Sequence, residues 1–424
     1  MSLEYINDLK EALGLKTLPS FFPDIYKRKL EDGTLFDNTY ATEEYITALN
    51  DKYGLFNDKY LGCILSSAEK MRERCDLIAF MNIVSEGFSD KETYLDRVKE
   101  INMSSEPDEE ADFMFLFAIL PLVDSQYKGY IEHNLPEEII KDSLNRYQWG
   151  IQLEEMRTGK PAFDFLTFRW CLRFAHGRIL RIEQLEFEMV MDLKYNMVAL
   201  ENKNTGEIKV LADNVRIHPS GMIVGSVGFE DNGEADNGNR VEKVYETASD
   251  YNGCAADRFG RYESKPTRFL KSEWRKIYSP GDHFVSVHIP RNSKIDDENR
   301  HRSYDAAKVL FAELYPEFHP VMMHGATWIF DPKIEEILGE RSNLVGFKHD
   351  FSCYPIVSPG TEVVRFVFFG KYSAPEEYPE DTRLQREVKS YLLAGNKIHA
   401  YGGVRRFGDV ASSDDILEED GDVG

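Results

Sequence analysis

Two residues stand out as acid–base candidates by type and place. His288 lies in the run His-Phe-Val-Ser-Val-His-Ile-Pro, residues 283–290, and Glu188 lies in Leu-Glu-Phe-Glu-Met, residues 185–189. A carboxylate or imidazole held beside a substrate can take a proton from an attacking nucleophile, directly or through a water. Both residues also have a plainer reading. Glu188 could be a strand carboxylate facing solvent, and His288 a strand histidine bonded to backbone. His324 and His349 are adjacent to strand ends and could reach the same cleft. None of the ten histidines stands in a His-x-x-x-His pairing and the five cysteines make no Cys-x-x-Cys, so no metal is expected. The absence of Gly-x-Ser-x-Gly argues against an α/β serine hydrolase. Glu230 to Gly238 is rich in Asp, Asn and Gly but lacks the ligand spacing of a calcium loop.

The elements that would position these residues can be read from pattern. Phe284 to Ile289 has the β-branched and aromatic content of a short buried strand, and Pro290 ends it because proline cannot donate to a ladder. Asn292, Ser293, Asp296 and Asp297 can each cap a helix. Ala306, Ala307, Val309, Leu310, Phe311 and Leu314 then recur at helical spacing, which predicts a helix over 303–314 stopped at Tyr315-Pro316. Val321 to Phe330 is a second apolar run broken at Gly325, Asp331-Pro332 starts a short helix, and Leu344–Phe347 and Val363–Phe369 are expected as strands. Asn343, just before an apolar run, is expected to satisfy a turn. A strand-helix-strand unit implies parallel neighbours, with the connecting loop at the carboxyl ends where ligands bind.

Upstream, residues 1–158 read as helical throughout, in segments Leu3–Leu13, Glu43–Tyr53, Tyr60–Val84, Lys91–Ile101, Pro107–Tyr127 and Pro136–Arg157, with Ser105 and Asp108 as a cap. The period changes after Gly177: Arg178 to Met189 alternates as a strand, and Asn196–Leu200 and Ile208–Leu211 form a hairpin. Asp381–Leu393 is a helix capped by Asp381 or Thr382 and stopped at Gly395. Asp409 to Asp422 holds seven acids and no base, as a solvated tail would.

Seventy-four acidic against 51 basic residues give a formal charge of −23, which repels nucleic acid and anionic lipid at long range. Within this acidic chain Arg258–Arg261 and Arg268–Arg275 are the most basic stretch, either near an anionic ligand or on a solvated face. No run approaches the ~18 apolar residues of a membrane span. Met1–Lys10 lacks the apolar core of a signal peptide. Scattered cysteines, odd in number, indicate a reducing cytoplasm.

His288-Ile289-Pro290, Ser303, Trp328, Asp331-Pro332, Ser342-Asn343, Phe347 and Phe351 resemble the motifs of a bacterial family of GNAT-like acyltransferases. That family joins a helical N-terminal domain to a GCN5-related C-terminal domain. The resemblance extends through Pro379–Arg386 and Leu393-Ala394-Gly395, and upstream to Leu185, Phe187, Glu188, Trp274 and Gly281-Asp282, covering residues 165–405. It implies an α+β protein with a helical domain over 1–158, a GNAT-like mixed β-sheet flanked by helices over 159–372 and a helical extension over 373–407, to which composition adds the acidic tail over 408–424. It further implies transfer of an acyl group from acetyl-CoA or another acyl-CoA to a small-molecule or peptide amine.

On that reading Glu188 and His288 are the catalytic candidates. The loop of Pro290, Arg291, Asn292, Ser293, Lys294, Arg302 and Ser303 would hold the pyrophosphate, since a helix N-terminus presents free amides and partial positive charge. Trp328, Asn343 and His324 would line the substrate cleft. The glycine-rich Gln/Arg-x-x-Gly-x-Gly/Ala signature is absent, Gly325-Ala326-Thr327 replaces a Cys-His-Ser triplet, and Gln184 stands where the family pattern has arginine. Two other readings therefore stay open: a non-catalytic binding module on the same fold, and acyl transfer from a carrier-protein thioester.

Overall fold

The computed structural model describes residue 10 and residues 14–103, 111–191, 193–230, 238–370 and 374–407. The Ser105/Asp108 cap, the acidic tail and almost all of the expected Leu3–Leu13 helix and Glu230–Gly238 loop lie outside these residues. The chain divides into two compact units, Met1–Arg181 and Ile182–Gly424.

The first unit is helical, and two of its helices are apolar on nearly every side. Met114–Ile119 is buried at all six positions, and Cys75–Gly87 buries Leu77 to Ser85 without a gap, as central helices do. Local chemistry sets the boundaries. Thr42 accepts the Tyr45 amide at the start of Glu43–Tyr53, and Gly54 ends that helix in the left-handed region at φ 63°. Three expected long helices are each two shorter ones. Tyr60–Val84 is Asp58–Met71 followed by Cys75–Gly87, and Pro136–Arg157 breaks at Asn145 into Glu137–Leu144 and Arg146–Thr158. Pro107–Tyr127 becomes Met114–Ile119 and Val123–Glu132, joined by a 3-10 turn at Leu120–Leu122, because Pro121 has no N–H for the helix ladder.

The strands are β1 (Ile179–Ile182), β2 (Leu185–Val190), β3 (Met197–Asn202), β4 (Ile208–Ala212), β5 (Val215–Ile217), β6 (Arg240–Glu242), β7 (Tyr245–Glu246), β8 (Asp250–Gly253), β9 (Thr267–Leu270), β10 (Trp274–Tyr278), β11 (Phe284–His288), β12 (Met322–Thr327), β13 (Ser352–Pro355) and β14 (Tyr401–Arg406). The single strand expected over Arg178–Met189 is thus two, parted by a turn in which Glu183 takes φ 55°. In the second unit the central sheet runs β2-β11-β12-β14-β13. Its β11–β12 pair is parallel, joined by the helix Asp297–Leu314, and the other pairs are antiparallel. A second sheet, β10-β3-β4, supplies Met197, Ala199, Val210 and Tyr278 to a core shared with Val190, Phe284, Met322, Tyr354 and Val404 of the central sheet. This is the mixed sheet with flanking helices of an α+β GNAT-like fold.

Two segments expected as strands are helices: Asn343–His349 and Glu362–Phe368. Each apolar run is short enough to suit either state, and the buried pair Val363 and Val367 has the four-residue spacing of a helix face. Asn343 is therefore the exposed first residue of a helix and not a turn residue before a strand. The strands that complete the sheet are β13 and β14, and β14 lies in the segment expected to be a helical extension.

Nor does Gly325 break β12. Gly325 pairs with Gly403 of β14, and a Cβ on either would lie 2.8 or 2.5 Å from the ring of Phe330. The two glycines seat that ring, which stacks on Phe347 at 5.5 Å.

Candidate active site

The parallel ladder between β11 and β12 is two residue pairs long, Val285 with Met323 and Ser286 with His324. Beyond it β11 continues against β2 alone, and β12 continues against β14. The central strands therefore lose each other at their carboxyl ends, which is where a parallel unit offers a ligand site.

Strand alternation decides what faces this place. Phe284 belongs to the core between the two sheets, so Ser286 and His288 lie on the same face of β11. Register adds Glu188 opposite Ser286 and Glu186 opposite His288. The result is a polar strip of Glu186, Glu188, Ser286 and His288 continuing an apolar core. His288 Nε2 lies 3.2 Å from Glu188 Oε2. The Glu188 side chain is 7% exposed and that of His288 28%, so the carboxylate is shielded while the imidazole can be reached. A buried carboxylate beside an imidazole orients the ring and stabilises the cation it becomes on taking a proton.

Behind this pair lie residues that pattern did not reveal. Tyr195, between β2 and β3, packs at a tilt on His324 with ring centroids 4.0 Å apart, and its phenol is held above its usual range by burial and then by Glu188. His324 is fully buried on β12, with Nε2 2.9 Å from the Tyr354 hydroxyl. Burial, and secondarily His288, pushes His324 down to about 3, so it is neutral. It belongs to the floor beneath the pair and does not line an open cleft. Tyr195 and Tyr354 carry no sequence signal beyond being aromatic; their place follows from the packing of one sheet on the other.

The loop after β11 is tied down from both ends. Ser293 donates its hydroxyl to the Gln184 carbonyl, the Lys294 amide donates to Gln184 Oε1 at 3.0 Å, and the Gln184 amide donates to Ser303 Oγ at 3.2 Å. Pro290 is buried and Asn292 exposed. Most of the loop's cations are committed. Arg291 donates to the Phe366 carbonyl at 3.0 Å and lies 3.9 Å over the Phe369 ring, with burial lowering its pKa. Arg300 is paired with Asp350 at 2.8 Å, and Arg302 with Glu183 at 3.1 Å. Lys294 is exposed and has no carboxylate partner among the described residues. The helix end itself is occupied. Asp296 caps the Asn299 amide, and Asp297 and Glu298 fill the first turn. Three carboxylates satisfy this helix end and repel a second anion.

Trp328 is buried in the 3-10 turn that follows β12. His349 ends the helix Asn343–His349 and pairs with Glu335 at 3.2 Å. No group of three or more His, Cys, Asp or Glu among the described residues is arranged to hold a metal, and no described helix is long and apolar enough to cross a membrane.

Residues 179–405 match the GNAT-like C-terminal domain. No match is found among curated proteins. Solved structures share the fold at low identity. A mutant acyltransferase in complex with octanoyl-CoA is 14% identical, with 94% of this chain and 98% of that one covered and a TM-score of 0.59. An acyltransferase in complex with decanoyl-CoA and teicoplanin is 14% identical over 95% and 99%, with a TM-score of 0.58. An acyltransferase with decanoyl-CoA is 12% identical over 86% and 88%, with a TM-score of 0.54.

Proposed function

The chain belongs to the family of the GNAT-like C-terminal domain, and on that premise we propose that it transfers an acyl group from a coenzyme A thioester to the nitrogen of a small-molecule or peptide amine. The observation that carries this reading is the buried Glu188 held on His288 where β11 and β12 part. His288 takes the proton of the amine as its nitrogen attacks the acyl carbonyl, and Glu188 stabilises the imidazolium. The C–N bond forms, the C–S bond breaks, and the thiolate leaves to be protonated from solvent. Lys294 is assigned to the donor's phosphates, and Trp328 to the wall of the acyl slot. The five free cysteines support a reducing, cytoplasmic setting.

Structures of like fold carry octanoyl and decanoyl thioesters, and one carries teicoplanin, so medium-chain donors come first. The test is calorimetric binding of octanoyl- and decanoyl-CoA, followed by thiol release against a panel of amines with the product identified by mass. Saturable binding and amine-dependent thiol release support the reading. Absence of binding at millimolar donor, together with no thiol release with any amine, overturns it.

The carboxylates at the start of Asp297–Leu314 favour a second reading, in which the thioester arrives on a carrier protein. Transfer from an acyl-carrier thioester, with none from the matching acyl-CoA, would select it.

A further inference from the structure

A separate cleft of about 1000 Å³ opens on the second unit, away from the Glu188–His288 pair. It lies among β4, the turn 256–261, the helix Lys333–Leu338 and the start of β13. Five Lys or Arg side chains line it against three acids, an inverted balance in a chain of charge −23. Three of the cations are neutralised: Lys333 by Glu336 at 2.9 Å, Lys348 by Glu335 at 3.2 Å, and Lys209 by Glu207 at 2.8 Å. Arg258 and Arg261 have no carboxylate partner among the described residues, and both are exposed. The carboxylate just before them is engaged by the turn itself, with Asp257 Oδ1 accepting the amides of Phe259 and Arg261 at 2.8 and 3.0 Å. Between the two arginines stands Phe259, 56% exposed, with the Arg258 guanidinium 4.6 Å from its ring centroid. The turn is pressed against the sheet: at Gly260, φ +66°, a Cβ would lie 2.7 Å from Tyr401 and 3.0 Å from Pro332.

We propose that this cleft binds a phosphorylated small molecule with a flat ring, the chemistry of a nucleotide. The two guanidiniums take the phosphate in charge-assisted hydrogen bonds, and Phe259 offers the base a stacking face. The volume is at the upper end for small-ligand sites. The surrounding negative charge makes the cleft a local exception that draws an anion. The site stands independently of the acyl-transfer reading, because it shares no residue with the Glu188–His288 pair. The nucleotide is free, or it is the nucleotide end of a coenzyme A donor; with the second source alone the inference rests on the acyl-transfer reading, and the two arginines take the place of Lys294 at the donor's phosphates.

The test uses the full chain, with adenosine 3′,5′-bisphosphate, AMP and inorganic phosphate as calorimetric probes. The expected result is saturable nucleotide binding that weakens about tenfold or more in Arg258→Glu and in Arg261→Glu, and that weakens with added salt. Phe259→Ala reduces nucleotide affinity and leaves inorganic phosphate unchanged. All three side chains are exposed, and unchanged melting temperatures confirm that the variants fold. Competition by octanoyl-CoA assigns the site to the donor's nucleotide, and its absence assigns it to a free nucleotide; either supports the site. No binding at millimolar probe, or wild-type affinity in both arginine variants, overturns it.

Discussion

Replacing Glu188 by glutamine keeps the side-chain volume and removes the charge beneath His288. In the fold the carboxylate is nearly closed to solvent and its Oε2 lies 3.2 Å from the imidazole Nε2. A hydrogen bond to a charged group contributes about 1.5–3 kcal/mol, more than a neutral one. The difference is felt only when His288 carries the proton, so it falls on the transition state and not on binding. A difference of about 1–1.5 kcal/mol, at about 1.4 kcal/mol per tenfold in rate, should lower kcat by about five- to tenfold. KM for the acyl donor should move by less than about twofold, because uniform binding is untouched. His288→Ala removes the base itself and should cost about a hundred- to ten-thousandfold. Because Glu188 acts through His288, the double variant should be no slower than His288→Ala alone. Initial rates of thiol release at saturating donor and amine measure all three. A Glu188→Gln enzyme at wild-type kcat, or losses that multiply in the double variant, would refute a coupled pair and leave Glu188 a buried structural carboxylate.

Other outcomes follow from packing and titration. His324 is pushed down to about 3 in the fold, against 6.5 when unperturbed, so the unfolded chain binds the proton first as pH falls. Stability is therefore lost from about pH 6.5 downward, by at most about 1.4 kcal/mol per pH unit from this group. His324→Gln should flatten the urea midpoint against pH in that range, and an unchanged slope would count against it. Gly403→Ala sets a methyl 2.5 Å from the buried Phe330 ring and should destabilise by about 1–3 kcal/mol, read as a lower melting temperature. Thr382 and Gln385 form a complete capping box on Arg383–Leu393, so Thr382→Ala should cost about 1 kcal/mol in denaturant melts while Thr382→Ser retains most of the stability.

Local signals were readable where one residue type has one physical use. Asp296 was among four capping candidates and is the one that accepts the Asn299 amide; the helix then runs to Leu314, close to where its apolar spacing ends. Thr382 caps the last helix for the same reason. Short apolar runs carried no such information. Leu344–Phe347 and Val363–Phe369 contain too few residues for period two and period 3.6 to differ. β14 was hidden for the opposite reason: Tyr-Gly-Gly-Val-Arg-Arg lacks a strand's composition. Its glycines answer to Phe330 and Tyr354, residues whose approach only the tertiary fold defines. Glu188 and His288 were each visible as candidates. Their contact depends on register between strands a hundred residues apart, which no local pattern encodes.

Gln184 shows why the site depends on more than its two titratable groups. It stands where the expected pattern has arginine, yet its backbone carbonyl and side-chain oxygen accept from Ser293 and Lys294 of the loop after β11, and its backbone amide donates to Ser303 of the following helix. β2 begins at the next residue and carries Glu188 onto the polar face, while β11 carries His288 into that same loop. The Gln184 contacts thus join the two strands at the end where β12 no longer holds β11. An arginine there would add a charge beside Arg302, which already pairs with Glu183. Glutamine can both donate and accept in one short side chain, whereas a guanidinium only donates and could not take the Lys294 amide. The loop thus has a neutral clamp in place of a cation, and the clamp joins the strands that carry Glu188 and His288. Arg300 is buried on Asp350, and Arg291 is stacked on Phe369. Positive charge around this loop is used to build it, whereas Arg258 and Arg261 stand exposed in the cleft with no carboxylate partner among the described residues.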